Sequence, residues 1–328
     1  MSTAPEPGAR NLEIEALRAV AIVLTLLQHL PTLLPKEGFP GPFLWIYKHF
    51  AFWSGVDLFF AISGYVVARA LLRGFDDASA SGRTRWNEVK RFWVRRAFRL
   101  LPAAWLWLAV VLAATVAFNR SGVFGGWDAN VRQAWWIFAY AYNWVVQPLF
   151  ASGVNVAPLG VYWSLALEEQ FYLALPLLLL WCDRKAAVAL LGLLIAAQFF
   201  VLRPAPLVEF WSTLRCEGLA WGVLLAFTAH AGRLERMSAC SIGSVGAWAL
   251  NAAALLAVMV LPWAWFNVSV TTALVAIVCV FWVALAACER GWVMPGCVHA
   301  RATQWLATRS YALYLSHVPS YMAVKEFA

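Results

Sequence analysis

Charge is what this chain has least of. Only 13% of its 328 residues are Asp, Glu, Lys or Arg, about half the share in soluble domains. Cysteine is also sparse. The six (Cys182, Cys216, Cys240, Cys279, Cys288, Cys297) are scattered with no CxxC or metal-ligand spacing, so no disulfide and no metal ligand is assigned. Low-complexity tracts, short-period repeats and an appended soluble domain are absent, which excludes solenoids and linker-like chains. A secretory leader is missing too: Met1 to Arg10 has no basic cluster, and no small-residue cleavage site ends the first apolar run. The first span is therefore expected to stay in the mature protein.

What is present is apolar. Hydrophobic residues make up 62%, mean hydropathy is +0.68, and there are 20 tryptophans, a residue that anchors helices at both membrane surfaces. The expected fold class is all-α: a polytopic transmembrane helix bundle of about nine to ten spans, one membrane-embedded unit over residues 1–328. The net charge of +8 does not point to nucleic acid, because the basic residues sit mostly between apolar runs and orient them.

Full spans are expected at Ile14–Leu34, Phe50–Leu72, Leu100–Phe118, Tyr162–Cys182, Ala186–Leu202, Ser212–His230, Ile242–Leu261, Val268–Cys288 and Thr303–Val324. A turn-rich loop, Pro35–Pro42, follows the first. Arg73–Arg99 holds eight basic and three acidic residues, a net +5, and is placed in the cytoplasm together with the N-terminus. The aromatic stretch Ala134–Phe150 is read as re-entrant or interfacial, since a full span there would force Arg184, Lys185, Arg233, Arg236 and Arg301 outside.

Polar residues interrupt these runs in few places. Arg18 and His29 are eleven positions apart in the first span, close to three turns, so they share a face about 16 Å apart along the axis. Ionisable groups at such depth are costly and functional by default, although a lone histidine can also simply bond a neighbouring helix. Asp57, in Gly55-Val-Asp-Leu-Phe-Phe-Ala-Ile-Ser-Gly64, costs about 2.5–3.5 kcal/mol at a helix centre and needs a partner, Arg18 or Arg215. Arg95, Arg96 and Arg99 read as topology determinants, but Arg96 and Arg99 are neighbours on one helix face and suit the phosphates of a cytoplasmic anion. Glu168 and Glu169 follow Trp163-Ser164, with Glu169 read as solvated. Tyr311 and His317 lie in Ser310–Pro319, where the bland reading of His317 is a proline-bounded helix end. Gly55, Gly64 and Gly218 read as close helix packing.

In chain order these motifs resemble acyltransferase family 3, the membrane enzymes that acylate cell-surface glycans and some small molecules. The resemblance rests on Arg18-x10-His29, Gly55–Gly64, Arg96-x-x-Arg99, Trp163-Ser-Leu-x-x-Glu-x-x-Phe-Tyr172 and Ser310–Pro319. It implies an acyl group, usually acetyl, taken from cytoplasmic acyl-CoA and placed on a hydroxyl of a glycan or glycolipid acceptor in a bacterial inner membrane. It makes His29 the essential histidine, Arg18 its partner, Arg96 and Arg99 (with Arg95 beside them) the acyl-CoA arginines, and Glu168 the motif glutamate. Asp57 or Glu168 is expected to orient His29 or bind the acceptor, with Trp163, Ser164, Tyr311 and His317 lining the substrate site. A neutral histidine suits removal of a sugar hydroxyl proton, either directly or after a transient acyl-histidine. No permanently bound cofactor is expected. The family usually adds a further apolar segment after the His-x-Pro motif, and some relatives add an extracytoplasmic hydrolase-like domain. Neither is in this sequence, so a missing closing span and a separate extracytoplasmic partner are expectations.

Two readings compete. A transporter or acyl-group translocator also buries Arg, Asp, Glu and His, but no glycine- or proline-broken helices recur in two halves. A non-catalytic subunit of a glycan-assembly complex is the other.

Overall fold

The computed structural model of the chain describes residues 10–34, 38–200, 214–264 and 268–327. Among the described residues the ordered elements are all helical. They are α1 (Leu12–His29, extended by a 3-10 turn at Leu30–Thr32), α2 (Gly41–His49), α3 (Ser54–Ala80), α4 (Arg85–Ala117), α5 (Trp127–Phe138), α6 (Tyr142–Ala151), α7 (Tyr162–Trp181), α8 (Arg184–Phe200), α9 (Glu217–His230), α10 (Leu234–Ser238), α11 (Ser244–Ala264), α12 (Val268–Ala287) and α13 (Arg301–Phe327). A bilayer explains this restriction, since a spanning segment must satisfy its own backbone groups.

Six helices are long and apolar enough to cross a bilayer by length and composition: Leu12–Thr32, Ser54–Ala80, Arg85–Ala117, Tyr162–Trp181, Ser244–Pro262 and Val270–Ala287. The chain is thus a multi-pass membrane protein, with fewer clear crossings than the nine read from the sequence. The expected spans Ala186–Leu202 and Ser212–His230 run into residues 201–213, outside the described residues. Their described parts, α8 and α9, are 17 and 14 residues long. The expected loop Pro35–Pro42 and the segment Met1–Arg10 likewise fall partly outside.

Two boundaries moved for physical reasons. The charged stretch after the second span does not end the helix: α3 continues to Ala80 and α4 begins at Arg85 on a Thr84 cap. Lys, Arg and Glu are good helix formers, so charge stops the apolar run without stopping the helix. The aromatic stretch Ala134–Phe150 belongs to two helices of 12 and 10 residues, broken at Tyr140, whose φ is +53°. Neither reaches the roughly 20 residues of a crossing. Gln170 of α7 fastens the break, donating to the Tyr140 carbonyl at 2.6 Å and to Asn143 Oδ1 at 2.9 Å.

The core is built around α3, which packs on α1, α9 and α12, while α13 lies along α1. Close approach needs glycine. A Cβ on Gly64 would strike the Leu219 carbonyl, one on Gly222 the Ala61 carbonyl, and one on Gly55 would sit 2.7 Å from the Ala21 oxygen. The glycine reading of Gly55, Gly64 and Gly218 is therefore correct. The outer surface of α4 carries Trp105, Leu106, Val110 and Val116 exposed, as lipid contact requires.

Polar clasps fix the ends. The Asn11 side chain caps α1 by accepting from Glu13 N and Ile14 N at 2.9 and 3.0 Å. The Glu13 carboxylate accepts the backbone N–H of Gly291 (2.8 Å) and Val293 (2.6 Å), tying α1 to the loop after α12. At the far end of α13, Glu326 accepts from the Ser121 hydroxyl and from Arg120 N at 2.6 Å, and these bonds hold its carboxyl below the usual range.

Candidate active site

A cavity of about 560 Å³ lies between α1, α3, α4, α7 and α13. One end is strongly basic. Arg10, Arg18, Arg69, Arg73, Arg96 and Arg99 line it, against three acids, Glu15, Glu168 and Glu289. Arg18 pairs with Glu15 one turn back at 2.5 Å and shares the cavity lining with Arg96 and Arg99. Arg96 stacks on Tyr172 (5.0 Å to the ring centroid) and Phe92 (5.6 Å), which fixes the plane of its guanidinium. Arg69 donates to Tyr65 Oη at 3.0 Å and lies 4.0 Å from Glu289. Clustered guanidiniums repel one another, so such a site gains most when an anion with several oxygens enters. Glu168 faces Ser63 and Tyr172 on the same cavity.

The opposite end is closed by hydroxyl groups. Ser164 Oγ and Tyr314 Oη are 2.5 Å apart, and each also bonds the Val161 carbonyl, at 3.3 and 3.2 Å. Both line the cavity. Tyr311, another lining residue, donates to the Leu100 carbonyl at 2.9 Å. Behind this wall the His317 ring lies 5.9 Å from the Tyr314 ring and meets His29 edge-on, with Nε2 of His317 3.2 Å from Nδ1 of His29. His29 is half-buried, His317 is buried, and neither lines the cavity.

The third polar cluster is separate. Asp57 pairs with Arg215, both buried, and the Arg215 guanidinium lies between Trp53 (4.5 Å) and Trp163 (5.8 Å). Of the two partners that the sequence allowed for Asp57, the structure uses Arg215.

The structure thus brings Arg18, Arg96, Arg99, Glu168, Ser164 and Tyr311 to one cavity and sets His29 with His317 behind its inner wall. It does not bring Arg95 there. That side chain is exposed and is drawn back to Glu88, two turns earlier on α4, with which it pairs at 2.6 Å, although its position shares a helix face with Arg99. Asp57 and Trp163 belong to the Arg215 cluster. Glu169, expected to be solvated, is buried at 8% exposure, next to Gln170, which bonds the α5–α6 break. Sequence reasoning missed Arg10 and Arg69 and counted Arg73 only as topology. Arg69 and Arg73 are four apart on α3, so a helical spacing test would have found them.

A family model described as an acyltransferase domain matches residues 11–327. The peptidoglycan O-acetyltransferase OatA of Listeria monocytogenes is 29% identical over 332 residues, covering 93% of this chain and 48% of that protein. A protein of Bacillus subtilis named "Putative peptidoglycan O-acetyltransferase YrhL" is 27% identical over 338 residues, with the same coverage of 93% and 48%. One of Staphylococcus aureus named "Putative O-acetyltransferase" is 34% identical over 171 residues, 51% of this chain and 24% of its own length. The chain spans about half the length of OatA or YrhL or less of the others. No solved structure matches.

Proposed function

The chain belongs to this acyltransferase family, and on that premise we propose that it moves an acetyl group from acyl-CoA to a hydroxyl of a cell-surface glycan. Peptidoglycan is the acceptor that two relatives' names carry. The observation that supports the reading is the arginine-lined cavity whose inner wall is backed by His29. Coenzyme A is anionic at one end and carries its thioester at the other. Its phosphates fit the basic end, at Arg18, Arg96 and Arg99 with Arg69 and Arg73, and its arm fits the cavity axis towards Ser164 and Tyr314. The wall must part for the thioester to reach His29.

His29 then removes the proton of the acceptor hydroxyl. The alkoxide attacks the thioester carbonyl, a C–O bond forms, and the tetrahedral intermediate expels the coenzyme A thiolate, which takes the proton back from the imidazolium. Bringing donor and acceptor together in one dry site supplies much of the rate. In our reading the N-terminus and the arginine end face the cytoplasm of an inner membrane, because the Arg73–Arg99 stretch is strongly basic. A separate extracytoplasmic partner is needed only if the purified chain fails to acylate the acceptor by itself.

The test is mass analysis of glycans from cells with and without the protein. One acetyl mass per modified sugar is expected, and it is lost in His29→Ala with membrane insertion kept. Full acetylation in His29→Ala would overturn the assignment of the base. Accumulation of labelled acyl-enzyme without acceptor would replace direct transfer by an acyl-histidine route.

A further inference from the structure

A catalytic imidazole needs a partner on its second nitrogen to fix its tautomer and steady the imidazolium, a place that a carboxylate fills in hydrolytic triads. Asp57 and Glu168 are the carboxylates that the sequence offers. Neither takes the place, since Asp57 holds Arg215 and Glu168 faces Ser63 and Tyr172. The side chain that meets His29 comes from 288 residues along the chain.

We propose that His317 is the positioning residue of His29, a neutral imidazole standing where a carboxylate would. The inference rests on the acyl-transfer reading of His29. His317 Nδ1 lies 2.8 Å from the Tyr314 carbonyl oxygen and 3.1 Å from that of Leu313. A nitrogen facing two carbonyl oxygens gains only if it carries hydrogen, so Nδ1 donates and, in the neutral ring, Nε2 keeps a bare lone pair. That lone pair points at His29 Nδ1 across 3.2 Å, and His29 Nδ1 is also 3.0 Å from the Thr25 carbonyl oxygen. Two lone pairs face to face would repel. His29 Nδ1 is therefore the protonated atom, its hydrogen shared between Thr25 and His317, and Nε2 is the basic atom that the reaction uses. When Nε2 takes the acceptor proton, the charged ring keeps a hydrogen-bond acceptor at Nδ1. The rings flanking His317 are Tyr314 and Tyr321, each 5.9 Å away, and among the described residues no carboxylate hydrogen-bonds either imidazole. The clamp on His317 is its own helix, because both carbonyls lie one turn back on α13.

The experiment uses the full chain in proteoliposomes with labelled acetyl-CoA and isolated peptidoglycan fragments. His317→Leu should lower kcat about 10–100-fold with the donor KM unchanged, as loss of an orienting partner does. His317→Gln, whose amide oxygen can accept from His29 Nδ1, should recover most of that loss. His317→Asn, whose shorter amide donates to the Tyr314 carbonyl and does not extend to His29, should not. Equal activity of the Gln and Asn variants, or wild-type kcat in His317→Leu, overturns the positioning role. If His317→Leu does not accumulate in the membrane, the Gln and Asn comparison decides alone. Transfer surviving in His29→Ala would instead remove the reading beneath it.

Discussion

Arg215 shows how much one side chain is asked to do here. It neutralises Asp57, fills the gap between Trp53 and Trp163, and leads into α9. Removing one member of a buried ion pair leaves the other charged in an apolar site, which costs about 3–5 kcal/mol. Arg215→Met should therefore lower the unfolding temperature in detergent sharply, and Asp57→Leu added to it should restore most of the loss. At the basic end of the cavity the expected readout is affinity. Arg96→Gln removes a charge-assisted contact worth about 1.5–3 kcal/mol, so donor KM in an acyl-CoA titration should rise about 10–100-fold. Arg96→Lys should rescue little, because the stack on Tyr172 needs a planar group. Arg18, His29, Arg96, Arg99 and Glu168 stood out in the sequence as members of spaced motifs, although Arg96 and Arg99 also had a use in topology and His29 one in bonding a neighbouring helix. Arg69 and Arg73 did not, since they belong to none of those motifs and an arginine at the end of a span already has a use in topology. The meeting of His29 with His317 leaves no trace in one sequence, because the contact is set by how α1 and α13 cross.

At the scale of elements, the helices were legible and their ends were not. Apolar runs gave the positions of α1, α3, α7, α11 and α12, while charged helix formers carried α3 and α4 past the expected boundaries. The α3–α9 crossing depends on two backbones touching through Gly64 and Gly222. Overpacking there costs about 1–3 kcal/mol or more, since a carbonyl cannot move aside as a side chain does. Gly64→Val should cut membrane accumulation and, by displacing α9, loosen the Asp57–Arg215 pair, which a thermal-shift comparison with Gly192→Val on the open face of α8 would reveal. The Glu13 clasp makes a different prediction. Glu13→Ala leaves the Gly291 and Val293 N–H groups without their acceptor, a penalty of about 1–3 kcal/mol. Hydrogen exchange at those two amides should quicken, and donor KM should rise because Glu289, on the same loop, lines the cavity.

At the scale of the whole molecule, one wide cavity penetrates a bundle whose outer helices face lipid. A cavity of this size inside a bundle also bears on the electrical insulation of a membrane, because any continuous path through it would conduct. Each elementary charge falling through a membrane potential releases about 2.3 kcal/mol per 100 mV, so even a rare open path would drain the gradient. We expect the Ser164–Tyr314 contact in the cavity wall to interrupt such a path. Replacing both residues by glycine should make proteoliposomes leak protons, measurable with an entrapped pH dye, while Tyr314→Phe, which keeps the ring, should not. The Tyr314 ring, held beside Ser164, is then a dielectric seal in the cavity wall, and its hydroxyl serves to hold the ring in place.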